Sequence, residues 1–303
     1  QGSNAFIFYA NDTAGNLNTT SLSFFVDNVY PQISFGTGTS DDYSNVSRSN
    51  VYVNVSVTET NENTIIFRLY NSTINLINSS SYINQQRTIN WTSLADGVYY
   101  YNVTINDSAN NINSTTTRTI TLDTIAPSVN LTYPLNTTYN VNVSAINYTS
   151  SGASSCWYSI NNGVTNISVN CGTNLTGLTS TEGSNSWLVG VNDSANNKNM
   201  SKITFFKDSV VPVLTIISPT VTQTTSTTIF NISSNEALSW CGLSLDSSAN
   251  ITMTAVNTTY YTYTNSTMID GSHTAVFSCN DTAGNYNSTN TTFSSDLTTI
   301  TNC

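Results

Sequence analysis

The chain has 303 residues, a formal net charge of −10 and only seven lysines and arginines, which excludes a nucleic-acid binder that tracks phosphates with a basic face. It contains no run of 18 apolar residues, so no membrane-spanning helix is expected. Asparagine, serine and threonine make up close to half of it, yet 17 tyrosines, 11 phenylalanines and 4 tryptophans in alternating segments predict folded strands rather than disorder.

Residues 1–27 open on a corner at Gly2, not on a basic leader. An alternating strand follows, then the tip Asn11 to Asn16 (NDTAGN), a second strand, and Asp27 with Pro31 four residues later. The same ruler returns at intervals of about 90 residues, the mark of a tandem array. Its tips are Asn106 to Asn111, Asn192 to Asn197 and Asn280 to Asn285. Its corners are Gly97, Gly183 and Gly271, and its closing aspartates are Asp123, Asp208 and Asp296. Pro127 and Pro212 follow two of those aspartates. Each tip reads as a hairpin loop in which Gly15, Asn110, Asn196 or Gly284 takes a positive φ. The Asp…Pro element ends the second strand, because proline cannot continue a central ladder.

Residues 1–27 thus read as the C-terminal hairpin of an incomplete immunoglobulin-like domain. A two-stranded hairpin is marginal in water, and no orphan half-domain is left elsewhere to complete it. The expectation is an internal or C-terminal piece of a longer polypeptide.

Residues 28–123 hold an inward row Val51, Val53, Val55, Val57 and another Ile65, Phe67, Leu69. Segments at 89–94, 98–106 and 118–122 complete about seven strands, the immunoglobulin-like count. Residues 124–208 repeat the plan, with inward rows Val141, Val143, Ala145 and Cys156, Tyr158, Ile160, a turn at Asn161 to Gly163, and Trp187, Val189, Val191 before the tip. Residues 209–303 show Phe230 and Ile232, then Cys241, Leu243, Leu245, then Ala275, Phe277, Cys279. The expected architecture is all-β: tandem immunoglobulin-like β-sandwich domains arranged end to end.

Five cysteines are present. Cys241 and Cys279 lie on the inward phase of core strands, and Cys156 has Cys171 as its natural partner across a hairpin. Each bridge is worth about 3–4 kcal/mol in the loop-entropy model. Zinc is the alternative, but no Cys-x-x-Cys pair exists and His273 is the only histidine. Disulfides are the preferred reading and imply an extracytoplasmic location; Cys303 is left unpaired.

Asn-x-Ser/Thr acceptors for N-linked glycans recur at Asn18, Asn45, Asn54, Asn71, Asn78, Asn90, Asn102, Asn113, Asn130, Asn136 and Asn142. They continue at Asn147, Asn166, Asn174, Asn199, Asn231, Asn250, Asn257, Asn265, Asn287 and Asn290. A composition this rich in the three residue types generates such triplets by chance. However, Asn54, Asn102, Asn142 and Asn231 fall on outward strand phases, where a sugar projects freely.

Catalytic signatures are missing: His273 is alone as a histidine, and neither a phosphate-binding glycine loop nor a Gly-x-Ser-x-Gly elbow is present. No enzyme and no required cofactor is expected. In an end-to-end array the closing aspartate of one domain approaches the tip of the next. Asp27 then meets Asp107 and Glu59, Asp123 meets Asp193, and Asp208 meets Asp281 and Glu236. Such hard oxygens suit Ca²⁺. The competing, preferred reading is that these aspartates cap turns through nearby backbone N–H groups. Outward aromatics such as Trp157 offer a sugar-stacking surface or, more commonly, cross-strand packing.

Asp96-Gly97-Val98-Tyr99, the tip nine residues after that glycine and Asp123-Thr124-Ile125-Ala126-Pro127 resemble the tandem immunoglobulin-like domains of large bacterial and archaeal adhesins and surface proteins. Cys156-Trp157-Tyr158-Ser159 and the Asn-Asp-Thr/Ser triplets look like archaeal, glycosylated versions. The resemblance covers the whole chain and implies a surface location, with Ca²⁺ at some linkers. Two departures stand out: Glu182-Gly183-Ser184-Asn185 loosens the corner, and asparagine replaces the tip glycine in two copies. The reading is a structural, extracellular repeat of a glycosylated filament, surface layer or stalk, partnered by copies of itself or by other surface proteins. The alternative is an adhesin whose domains bind a glycan or protein on another surface.

Overall fold

The computed structural model describes residues 2–297, and no helix occurs among them. Cys303 lies outside the described residues. The chain divides into two compact units. The first runs to Ser128 and takes in Gly152–Ser154 and Val191–Asn199; the second comprises Val129–Ser151, Ser155–Gly190 and the chain from Met200.

Strands β1 (Gly2–Asn11) and β2 (Leu17–Val26) form a hairpin in register from Gly2↔Val26 to Asn11↔Leu17. Among the described residues they pair only with each other. Phe6 and Phe24 stack at 5.2 Å, yet Phe6, Phe8, Leu22 and Phe24 are all exposed. In the three later copies the matching first-strand positions, Tyr101 and Val103, Trp187 and Val189, Ala275 and Phe277, are buried.

The second repeat is a sandwich built from β3 (Gln32–Phe35), β4 (Ser44–Val46), β5 (Val51–Thr58), β6 (Glu62–Tyr70), β7 (Leu76–Tyr82), β8 (Thr88–Trp91), β9 (Gly97–Asp107), β10 (Ile112–Ser114) and β11 (Arg118–Leu122). One sheet has the order β3-β5-β8; the other has β4-β11-β9-β6-β7, with β10 paired to β9. Period-two alternation sends Val51, Val53 and Val55 from one sheet against Ile65, Phe67, Leu69, Tyr101, Val103 and Ile105 from the other. The first strand is split: β3 pairs with β5, whereas β4 crosses to run parallel to β11.

The third sandwich uses β12 (Ser128–Tyr133), β13 (Thr138–Tyr139), β14 (Ala145–Ser151), β15 (Ser155–Ser159), β16 (Ile167–Val169), β17 (Leu175–Thr176), β18 (Gly183–Asn192) and β19 (Lys198–Lys207). Its sheets are β12-β14-β17 and β13-β19-β18-β15-β16 around Val143, Ile146, Tyr148, Trp187, Val189 and Phe205. The inward row here differs from the expected Val141, Val143, Ala145. Val141 is 62% exposed, and Ile146 and Tyr148 carry the row onward from Val143. The cause is local. The N–H of Val143 donates to Ser180 Oγ and Asn142 Oδ1 accepts from Ser180 N, so residues 142–144 bond to loop groups instead of a ladder. The phase slips by one before β14 begins.

The fourth sandwich comprises β20 (Leu214–Ser218), β21 (Thr228–Ser234), β22 (Leu238–Leu245), β23 (Ile251–Thr252), β24 (Thr254–Asn257), β25 (Tyr260–Asn265), β26 (Gly271–Asp281) and β27 (Tyr286–Ser295). Sheets β20-β21-β25-β24 and β23-β22-β26-β27 enclose Phe230, Ile232, Leu243, Phe277 and Phe293. Cys241 and Cys279 sit directly opposite each other on β22 and β26 and are disulfide-bonded; Cys156 is bonded to Cys171.

All three sandwiches enter the long hairpin through one corner bond to the carbonyl four residues back. Tyr99 Oη donates to Ala95 O (2.9 Å), Asn185 Nδ2 donates to Thr181 O (2.7 Å), and His273 Nε2 lies 2.9 Å from Ile269 O. The Glu182–Asn185 departure therefore keeps the corner, because an asparagine amide reaches the same acceptor. Phe67 is fully buried in the second core. Phe67→Ala is expected to cost about 3–5 kcal/mol, read as an earlier unfolding transition in calorimetry.

Candidate functional site at the repeat junctions

Each tip is organised by its aspartate. Asp107 Oδ1 accepts the N–H groups of Ala109 (2.8 Å) and Asn111 (2.9 Å), and its Oδ2 accepts Asn111 Nδ2 (2.7 Å). Asp193 does the same with Ala195 and Asn197, Asp281 with Ala283 and Asn285, and Asp12 with Ala14 and Asn16. These are Asx turns, closed by a positive φ at Gly15, Asn110, Asn196 and Gly284. The bond from Asn16 is the main cause holding the Asp12 carboxyl below its usual range. At Asp193 burial pushes the other way, but the bonds from Asn197 and Ala195 still leave it lowered.

The asparagine that closes the tip has a second N–H, and this one reaches the preceding linker. Asn111 Nδ2 donates to Asp27 O (3.2 Å), Asn197 to Asp123 O (2.8 Å) and Asn285 to Asp208 O (2.8 Å). Two residues further on, a second asparagine takes the prolyl carbonyl. Asn113 donates to Pro31 O (2.8 Å), Asn199 to Pro127 O (3.0 Å) and Asn287 to Pro212 O (2.8 Å). All three prolines are buried. From the other side, the acid before the corner glycine grips the residue after the closing aspartate. Asp96 accepts Thr124 Oγ1, Glu182 accepts the N–H and Oγ of Ser209, and Asp270 accepts the N–H of Leu297. Lys207, bonded at 2.7 Å, and then Ser209 lower Glu182 to about 2.

Carboxylates converge at two of the three junctions. Ligand oxygens of Asp27, Glu59 and Asp107, and of Asp208, Glu236 and Asp281, lie within 4.8 Å of one another. At the middle junction Asp123 and Asp193 have no third acid, because Gly152 and Ala153 follow β14 where glutamates follow β5 and β21. The first triad is largely satisfied by protein donors: Asn61 N bonds Glu59 and Asn61 Nδ2 bonds Asp27. In the other, Glu236 Oε1 is buried with no hydrogen-bond partner. Burial first, then Asp208 and Asp281, raise the Glu236 pKa. A hard divalent cation fits this oxygen-only set and would relieve the repulsion.

The acceptor asparagines separate by what their amide nitrogen does. Nδ2 is engaged at Asn113, Asn199 and Asn287 in the linker bonds, and at Asn54, Asn142 and Asn102 with Thr37 O, Leu178 O and Thr117 Oγ1. Asn265 Nδ2 contacts Met268 Sδ. Asn71, Asn78, Asn90, Asn174, Asn231 and Asn257 accept bonds through Oδ1. Asn147 is half-buried, and Asn18, Asn45, Asn130, Asn136, Asn166, Asn250 and Asn290 are exposed. Trp157 lies over Gly190, where an added Cβ would meet its ring at 2.2 Å.

Comparison with known proteins finds no matching family model and no matching curated protein. Among solved structures, a tetra-tandem repeat from the extending region of a large adhesion protein is 17% identical, covering 98% of this chain and 82% of that one, with a TM-score of 0.39. A 1.5-MDa bacterial ice-binding adhesin is 15% identical (90% of this chain, 100% of that one, TM-score 0.34). Fibronectin(III)-like modules of Clostridium thermocellum CbhA are 16% identical (58% and 94%, TM-score 0.38). The sandwich assignment rests on the sheets and cores above, not on these distant likenesses.

Two outcomes are expected. Asn199→Ala orphans the buried Pro127 carbonyl and should cost about 1–3 kcal/mol, with faster amide exchange at Thr124 and Ile125. Glu236 has a raised folded pKa, so its contribution is full below the reference value of 4.5 and is lost as pH rises through the folded value. Glu236→Gln should therefore raise the melting temperature at pH 7 and flatten its decline above pH 4.5, as a pH series in calorimetry would show.

Proposed function

We propose that this chain is a structural, non-enzymatic extracellular protein whose sandwiches are repeats of a glycosylated filament, surface layer or stalk. The observation supporting this is the junction. At three successive linkers the same two asparagines bond the carbonyls that bracket the Asp-x-x-x-Pro segment. Linkers tied in this way limit hinge motion, so the function is mechanical. Two disulfides suit an oxidising compartment outside the cytoplasm. With only seven lysines and arginines in the sequence, trypsin-like proteases find few sites.

In this reading N-linked glycans occupy acceptors whose amide is free, such as Asn130, Asn166 and Asn250, and cover edge strands against stray pairing. Calcium binds at the Asp208, Glu236, Asp281 triad and stiffens that junction. Partners are copies of the same chain or other surface proteins.

Electron microscopy of native cells with an antibody to this chain is expected to label an extracellular filament or array. Labelling confined to the cytoplasm would overturn the proposal, and tight, specific binding on a glycan array would move it to an adhesin. Glycopeptide mapping is expected to find sugar at Asn130, Asn166 or Asn250 and none at Asn113, Asn199 or Asn287.

A further inference from the structure

The histidine at the corner of the fourth sandwich bonds a second, separate turn, whereas the residues that replace it elsewhere bond only their own corner. Its side chain is 6% exposed. Nδ1 lies 2.6 Å from Asp246 Oδ2 and Nε2 lies 2.9 Å from Ile269 O. Both partners are acceptors with no proton to offer. A neutral imidazole carries one N–H and satisfies only one of them, whereas an imidazolium satisfies both.

The carboxylate is positioned independently of the ring: Thr274 N donates to Asp246 Oδ1 (2.8 Å) and Asp246 N donates to Thr274 O (2.9 Å). Asp246 and Ser247 hold the left-handed conformations this docking requires, with φ of 50° and 65°. From β27 the ring meets Phe293, with centroids 5.5 Å apart. Asp270, three residues before the histidine, turns its carboxylate to the N–H of Leu297. The charged group facing the ring is therefore Asp246.

We propose that His273 is a proton-operated latch on the corner before β26 of the fourth sandwich. As an imidazolium it ties both the turn at 246–248 and the corner at 269–271 to β26. Loss of the proton leaves one acceptor facing a lone pair, and that element loosens. The corner also carries Asp270, whose bond to Leu297 is the counterpart of Asp96 to Thr124 and Glu182 to Ser209. Deprotonation therefore reaches the bond that holds Leu297 after β27. The third sandwich has Asn185 at this position, whose amide does not titrate.

The bond to Asp246 is the first cause raising the ring above its ordinary value, burial opposes it, and the Ile269 carbonyl adds to it. With a raised folded pKa, the stabilisation is complete below the unfolded value of 6.5 and lost as pH rises through the folded one.

The chain has a single histidine, so the two ring nitrogens seen in ¹H–¹⁵N NMR of the whole chain are assigned without ambiguity. The expected result is a ring doubly protonated at pH 6.5 that titrates above it. Amide protection at Thr274 and Leu297 should fall over the same range, by up to about tenfold for each pKa unit separating folded from unfolded. His273→Asn, which installs the side chain used at position 185, is expected to keep the corner and abolish this pH dependence. A ring titrating at or below 6.5 would overturn the latch, as would an unchanged pH dependence in H273N. Should H273N fail to fold, the ring titration in the native chain decides.

Discussion

The constraint on which the structure depends is that a short linker, exposed along its middle but ending on a buried proline, still has backbone carbonyls that need partners. Proline supplies no N–H, so neighbouring backbone cannot close a ladder there. Side-chain amides do it instead. One asparagine directly before the hairpin's second strand and another two residues on, within it, reach carbonyls four residues apart in the linker. The first of them also closes the tip through the aspartate. One amide thus shapes the loop with one N–H and fixes the linker with the other, which couples tip geometry to junction geometry.

The repeats share this frame but support it with different chemistry. In the second sandwich Ile65 faces Ile105 across β6 and β9; at the matching place in the fourth, Cys241 is bonded to Cys279. A covalent bond there replaces apolar contact between strands. The corner bond is made by a phenol, an amide and an imidazole in turn, and only the imidazole demands a proton. The junction acids likewise differ, since Glu59 and Glu236 complete triads where the middle repeat has Gly152 and Ala153.

The repeating corner, tip and closing aspartate made the all-β class and the hairpins legible, because turn chemistry and period-two alternation are local properties. Gly15, Asn110, Asn196 and Gly284 adopt the positive φ their positions demand. The row through Val141 was misread because alternation reports phase only while a ladder persists, and Asn142 and Ser180 interrupt it. The linker bonds were not read at all. Their signal was present as asparagine at matched positions in every copy (Asn16 and Asn18, Asn111 and Asn113, Asn197 and Asn199, Asn285 and Asn287). It was hidden by the abundance of asparagine and by the glycan-acceptor pattern that the second of each pair also satisfies.

Hydrogen exchange of the asparagine side-chain amides tests the junction most directly, because the chain carries its own control. Asn84, between β7 and β8, is exposed and belongs to no junction. Slow exchange at the Nδ2 protons of Asn113, Asn199 and Asn287 against fast exchange at Asn84 is the predicted result. Equally fast exchange at all four would contradict the account.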